Sequence, residues 1–160
     1  MKGKPTLLRN QSIDQAEMAD LPEVLIGDIR RLKQVLINLV KNAKKFTPNG
    51  KIEICAAYDY HKQCLYVHVK DTGKGIAEED LQKLFTRFGK LQRTAQSNSE
   101  GIGLGLNIVR TIIEKSGGKI NVHSDGVNKG STFYFNIPMK AGTKEQYMLL
   151  RSGTDSCHYP

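Results

Sequence analysis

Apolar residues recur three or four apart through one stretch of the chain: Leu32, Val35, Leu36, Leu39, Val40, Ala43 and Phe46. That period places side chains on one helix face. It predicts a long helix that opens after Asp28, a good N-cap, and closes near Thr47, where Pro48 and Gly50 interrupt it. A second long helix is predicted across "GLGLNIVRTIIEKSGG", with Leu106, Val109 and Ile113 on its apolar side and Gly117–Gly118 at its end. "IAEEDLQKLF" predicts a short amphipathic helix with acidic residues in its first turn. Alternating stretches predict strands at Ile52–Tyr58 and Leu65–Asp71, joined by the polar turn "DYHKQC" as an antiparallel hairpin. Two more, Lys119–Ser124 and Ser131–Ile137, flank "DGVNKG". Briefer strands are expected at Thr6–Arg9 and at Val24–Ile26. Gly89–Glu100 is polar and aperiodic, which predicts a mobile loop.

No internal repeat is visible. The pattern divides the chain into a domain over residues 1–139 and a polar, loosely ordered tail over residues 140–160, in which "YMLL" is able to dock. Helices and antiparallel strands in this order predict an α+β fold. We expect a two-layer sandwich: one mixed, mostly antiparallel sheet of about five strands, covered on one face by about three helices.

Composition changes this picture little. The chain has 160 residues, 39% hydrophobic and 25% charged, as expected for one globular domain with a real core. Its formal net charge is +8, but the basic residues are scattered and aromatic residues are not interleaved with them. A solvated lysine-rich surface fits better than a nucleic-acid interface. Cys55, Cys64 and Cys157 are odd in number and lack metal-type spacing. That predicts a reduced, intracellular (cytoplasmic) protein with neither a disulfide frame nor a structural zinc. No apolar run approaches the roughly 20 residues of a membrane span.

Three short stretches carry candidate chemistry. Along the helix that ends in "NLVKNAKKFT", Arg31, Gln34, Asn38, Asn42 and Lys45 line one flank of the apolar stripe. Such a row is either a solvated helix edge or a site for a divalent cation and phosphate. An amide carbonyl is a hard oxygen ligand suited to Mg²⁺, and a lysine supplies point charge to phosphates. "DTGKG", Asp71–Gly75, is either an Asx-type turn or a carboxylate facing an amine such as an adenine N6. In the second case Gly73 and Gly75 let backbone approach a flat ring. "GIGLGL", residues 101–106, precedes a helix and is compatible both with a hinge and with phosphate binding at the helix N-terminus. It does not fit the dinucleotide fingerprint, and neither a P-loop nor an HRD or DFG signature occurs.

The order of these stretches is more specific than any one of them. An Asn-rich helix, then "DTGKG", "FTRF", "GIGLGL" and "GGKINV…GSTFYF" resembles the catalytic ATP-binding domain of sensor histidine kinases, within the superfamily of gyrase, Hsp90 and MutL, over about residues 5–138. The resemblance implies ATP and Mg²⁺ as cofactors. It implies Asn38 as the Mg²⁺ ligand, Asn42 and Lys45 on the phosphates, and Phe46 near the nucleotide. Asp71 would hold the adenine amine, with Gly73, Gly75 and Ile76 shaping the pocket and Thr132 supporting Asp71 and the adenine through a hydroxyl or water. Phe85 and Phe88 would anchor the base of a lid, and Gly101, Gly103, Leu104, Gly105 and Leu106 would close it over the phosphates. Lys90 stands where many of these kinases carry an arginine facing the γ-phosphate. It keeps the charge without the planar fork.

The resemblance also bears on the reaction. In the gyrase and Hsp90 branches a glutamate one turn before the metal asparagine activates water. Here that position is Gln34, which cannot act as a base, so transfer is favoured over hydrolysis. The family's phosphoacceptor histidine lies on a separate dimerising helical hairpin, in a His-acidic pattern followed by proline. None of His61, His68, His123 or His158 fits that pattern. The implied partners are therefore a histidine-bearing dimerisation domain, in the same chain or another, and a downstream response-regulator receiver. Nucleic acid and membrane contact are not expected of this segment, and a monomer is expected in isolation. A related serine kinase and a nucleotide-gated scaffold without transfer activity stay open as alternatives.

Overall fold

The computed structural model describes residues 20–81, 83–85 and 105–152. Its elements run β1 (Val24–Ile26), α1 (Ile29–Phe46), β2 (Ile52–Asp59), β3 (Cys64–Asp71), α2 (Glu78–Leu81), α3 (Gly105–Lys115), β4 (Lys119–His123), β5 (Ser131–Pro138), β6 (Lys140–Gly142) and α4 (Lys144–Ser152). The long helix begins where its cap predicts: the Asp28 carboxylate accepts from the Arg31 N–H at 3.1 Å. α3 ends with the Gly118 N–H donating to the Ile113 carbonyl at 2.9 Å, which satisfies an otherwise orphaned group.

β2, β3, β5 and β4 form one sheet in that order, and every pairing is antiparallel. Alternation along the strands gives the sheet a helix-facing side and an open side. Leu65, Val67 and Val69 of β3 and Phe133, Phe135 and Ile137 of β5 are buried on the first side. Against them pack Val35 and Leu39 of α1 and Val109 and Ile113 of α3, each no more than 1% exposed. Ile37, on the far side of α1, is 39% exposed. Burial of one stripe therefore fixes the rotation of α1, and with it the direction of its polar flank.

The α+β two-layer reading holds, with differences. The main sheet among the described residues has four strands and no parallel pair, and β1 pairs instead with β6 in a separate ribbon (Val24 opposite Gly142). Residues 140–152 are thus a strand and a helix up to Ser152, where a loose polar tail beyond residue 139 was expected. The helix expected over "IAEEDLQKLF" is only Glu78–Leu81. After it the bonds tighten to the 3₁₀ spacing, Lys83 N–H to Asp80 O and Leu84 N–H to Leu81 O. The expected Thr6–Arg9 strand and Gly89–Glu100 loop lie outside the described residues.

The β2–β3 turn is organised by Asp59, which is 2% exposed. Its carboxylate accepts from the Lys62 backbone N–H at 2.8 Å and lies 3.0 Å from the Lys62 ammonium. The backbone N–H, then the ammonium, hold its carboxyl below the usual carboxylate range. A folded pKa below the unfolded one contributes stability above the unfolded value, about 3.9, and loses it as pH falls through the folded value. Asp59→Asn should therefore flatten the fall in urea midpoint between about pH 5 and about pH 2 relative to the parent. Parallel midpoint curves would show that Asp59 is not a linked group.

Candidate functional site

The last turn of α1 and the loop after β3 meet at one carboxylate. Asp71 ends β3 on the helix-facing side and is 4% exposed. Its Oδ1 accepts from the Gly73 N–H at 2.8 Å and from the Thr47 hydroxyl at 3.3 Å, and its Oδ2 from the Ser131 hydroxyl at 2.5 Å. An ionised carboxylate offers about four lone-pair sites. Three donors fix its plane and leave Oδ2 able to accept one more N–H.

The loop beyond Asp71 is clamped on two sides. On one, the Lys74 N–H donates to the Phe46 carbonyl at 3.0 Å. A Cβ at Gly73 would lie 2.2 Å from that same carbonyl oxygen, so only glycine permits this approach. On the other, the β4–β5 turn takes up the remaining polar groups. Asn128 N–H donates to Lys74 O, Gly130 N–H to Gly73 O, and Ile76 N–H to the Ser124 hydroxyl. Gly75 has φ +61°, and a Cβ there would meet the Gly126 carbonyl oxygen at 2.0 Å. Ser124 in turn donates to the Gly130 carbonyl at 2.6 Å and so ties the turn to itself.

The other predicted residues sit further back along α1. Asn38 is half-buried, and its Nδ2 donates to the Gln34 carbonyl at 3.1 Å. Its amide oxygen is directed at the first turn of α3, where a Cβ on Gly105 would stand 3.7 Å away. Asn42, one turn on, is half-buried, and Lys45 is exposed with its ammonium 5.8 Å from the Phe46 ring. From Asn38 to Phe46 the helix rises about 12 Å. An extended nucleoside triphosphate separates base and terminal phosphate on the same scale.

The residue chemistry fits such a ligand. A buried acceptor with spare capacity suits an exocyclic amine, and an amide oxygen opposite a helix N-terminus suits a hard cation beside phosphate. Ile76 and Leu106 pack on the hydrophobic core at the edges of this region, and Phe85 meets Phe133 edge to face with centroids 6.5 Å apart. Thr132 does not support Asp71. It is paired with Lys70 and His123, and the strand's period of two turns it to the open side of the sheet. Ser131, directly opposite Asp71, takes that place. Phe88, Lys90, Gly101, Gly103 and Leu104 lie outside the described residues.

Sequence reasoning also missed Thr47 and Ser124. Thr47 marks the end of α1 in the sequence, yet it is buried at 8%, and a hydroxyl there needs a partner. For Ser131 the signal was present: Phe133, Phe135 and Ile137 share its parity.

Comparison with known proteins decides the family. The model of the histidine kinase-, DNA gyrase B-, and HSP90-like ATPase family matches residues 27–141. The chain belongs to this ATPase family. Among similar members, the signal transduction histidine-protein kinase BarA of Escherichia coli K12 is 42% identical over 122 residues, covering 74% of this chain and 13% of BarA. The adaptive-response sensory kinase SasA of Synechococcus sp. CC9311 is 40% identical over 128 residues, covering 80% of this chain and 33% of SasA. The chain thus spans a third or less of either kinase. The catalytic domain of histidine kinase ThkA superposes with a TM-score of 0.58 at 41% identity, covering 70% of this chain and 68% of that one. Full-length ShkA in complex with AMPPNP gives 0.66 at 30% identity, over 78% of this chain and 25% of ShkA. The ATPase fold and its histidine-kinase branch are therefore shared.

The division of labour between neighbouring hydroxyls is testable in this ATPase domain. Ser131→Ala should weaken ADP binding about tenfold, the loss of roughly one charge-assisted hydrogen bond. Thr132→Ala should stay within about twofold of the parent in the same titration calorimetry. Equal losses at both positions would overturn the assignment.

Proposed function

We propose that this domain binds ATP with Mg²⁺ and transfers the γ-phosphoryl group to a histidine on a separate dimerising helical hairpin, in the same polypeptide or another. The phosphoryl group then passes to a response-regulator receiver. The reaction belongs in the cytoplasm, and the domain on its own is a monomer. The observation that carries this reading is Asp71: a buried carboxylate held by three donors, with one acceptor position left and the Phe46 end of α1 packed on its loop.

In this reading Asp71 accepts from the adenine amine, and a ring with a carbonyl at that position meets an acceptor where it needs a donor. Gly73 and Gly75 keep the loop close to the base. Asn38 offers its amide oxygen to Mg²⁺, and Asn42 and Lys45 contact the phosphates. Bound Mg²⁺ would neutralise charge on the β- and γ-phosphate oxygens. The N-terminus of α3 at Gly105 adds partial positive charge to the same region. Transfer is favoured over hydrolysis because Gln34 cannot take a proton from water, whereas an imported imidazole is itself the nucleophile. A P–N bond forms as the γ-phosphorus–oxygen bond to ADP breaks. What the domain supplies is position and charge neutralisation.

The test uses labelled ATP, the domain, and a separately purified histidine-bearing dimerising hairpin. Acid-labile label on the hairpin histidine is expected. Acid-stable label on serine would make the domain a serine kinase, and binding without any label would make it a nucleotide-gated scaffold. Asn38→Ala should lower Mg²⁺-dependent transfer by on the order of a hundredfold while adenosine binding changes little. Asp71→Asn should abolish ADP binding, since its amide can turn a donor toward the adenine N–H. Normal ADP binding by that variant would displace the pocket.

A further inference from the structure

The open side of the sheet carries a group of side chains that the nucleotide site does not use. Cys55 of β2 and His68 of β3 are direct cross-strand partners, and Glu53 lies two residues before Cys55. The strand period places all three on the face opposite Asp71. One carboxylate oxygen, the Cys55 sulfur and one ring nitrogen all lie within 4.8 Å of one another. Cys55 and His68 are half-buried and Glu53 is exposed. The thiol donates to Glu53 Oε1 at 3.2 Å, and the His68 ring makes no hydrogen bond among the described residues.

We propose that Glu53, Cys55 and His68 form a binding site for a borderline-soft divalent metal ion of the zinc type, with water as the fourth ligand. Thiolate, imidazole and carboxylate together are a donor set that zinc takes, whereas Mg²⁺ and Ca²⁺ take oxygen donors. Bond lengths of about 2.0–2.3 Å place ligand atoms of a tetrahedral site about 3.5 Å apart. The thiol–carboxylate contact, 3.2 Å, already has that scale, and the His68 ring nitrogen lies within 4.8 Å of both groups. Two adjacent strands of a paired sheet hold the backbone, so little ordering is required on binding. On binding, the Cys55 S–H bond gives up its proton to solvent and the sulfur lone pair goes to the metal. Lys70, the cross-strand partner of Glu53, is exposed and turns its ammonium to solvent when the metal enters. Tyr66 and Tyr134 flank His68 on the same face. The site is independent of the nucleotide reading. It also revises the expectation of no zinc drawn from cysteine spacing, because its ligands come together by strand register.

Titration of the whole chain with Co²⁺ alone tests it. We expect a thiolate-to-cobalt charge-transfer band with tetrahedral visible bands, saturating at one equivalent and displaced by Zn²⁺. Cys55→Ser should abolish the charge-transfer band, and His68→Ala should weaken binding at least about tenfold. Cys157→Ser should leave both unchanged. Should either site variant fail to fold, judged by its urea transition, Glu53→Gln at an exposed position supplies the comparison and should also weaken Co²⁺ binding. No band, a band that survives Cys55→Ser, or binding indifferent to His68 and Glu53 would overturn the site, the last as an adventitious ion only.

Discussion

The seating of the α1 C-terminus on the loop after β3 is the constraint from which the rest of the site follows. It is made by one buried carboxylate and one backbone bond, Asp71 with its Thr47, Gly73 and Ser131 donors and Lys74 N–H on Phe46 O. A charge buried to this degree is tolerated only when its lone pairs are met, so each donor is required for the others to be worth keeping. The result ties helix, loop and central strand at one point. Because α1 is rigid, that point also fixes where Asn38 and Asn42 stand.

The two sides of the sheet do different work. The helix-facing side buries Val67, Val69, Phe133 and Phe135 against α1 and α3, and at its end this apolar side yields to Asp71 and Ser131. The open side is polar and titratable, with Cys55, His68, Tyr134 and His123 in neighbouring rows. A one-residue slip of β3 against β5 would exchange the two sets, which is why register is as much a functional property here as a structural one.

Much of this was legible in the chain because local rules and burial agree. The α1 stripe, the Asp28 cap and the β2–β3 hairpin were readable from period and punctuation. The ribbon of β1 and β6 was not, since Lys140–Gly142 is short, polar and glycine-ended, and only its distant partner makes it a strand. Position within "GST" points to Thr132, whereas side-chain parity along β5 puts Ser131 beside Asp71. Residue type leaves Asn38 and Asp71 with two readings each, and the order of motifs along the chain is what favours the chemical one. Neither residue type, nor its spacing, says which distant loop it will face.

That same ribbon has a mechanical meaning. Val24–Ile26 leads directly into α1, and Lys140–Gly142 follows directly from β5. The strand that feeds α1 and the strand that follows β5 therefore run side by side, like two lengths of rope through one eyelet. A displacement of this ribbon is carried, through the two residues after Ile26, to the root of the helix that holds Asn38.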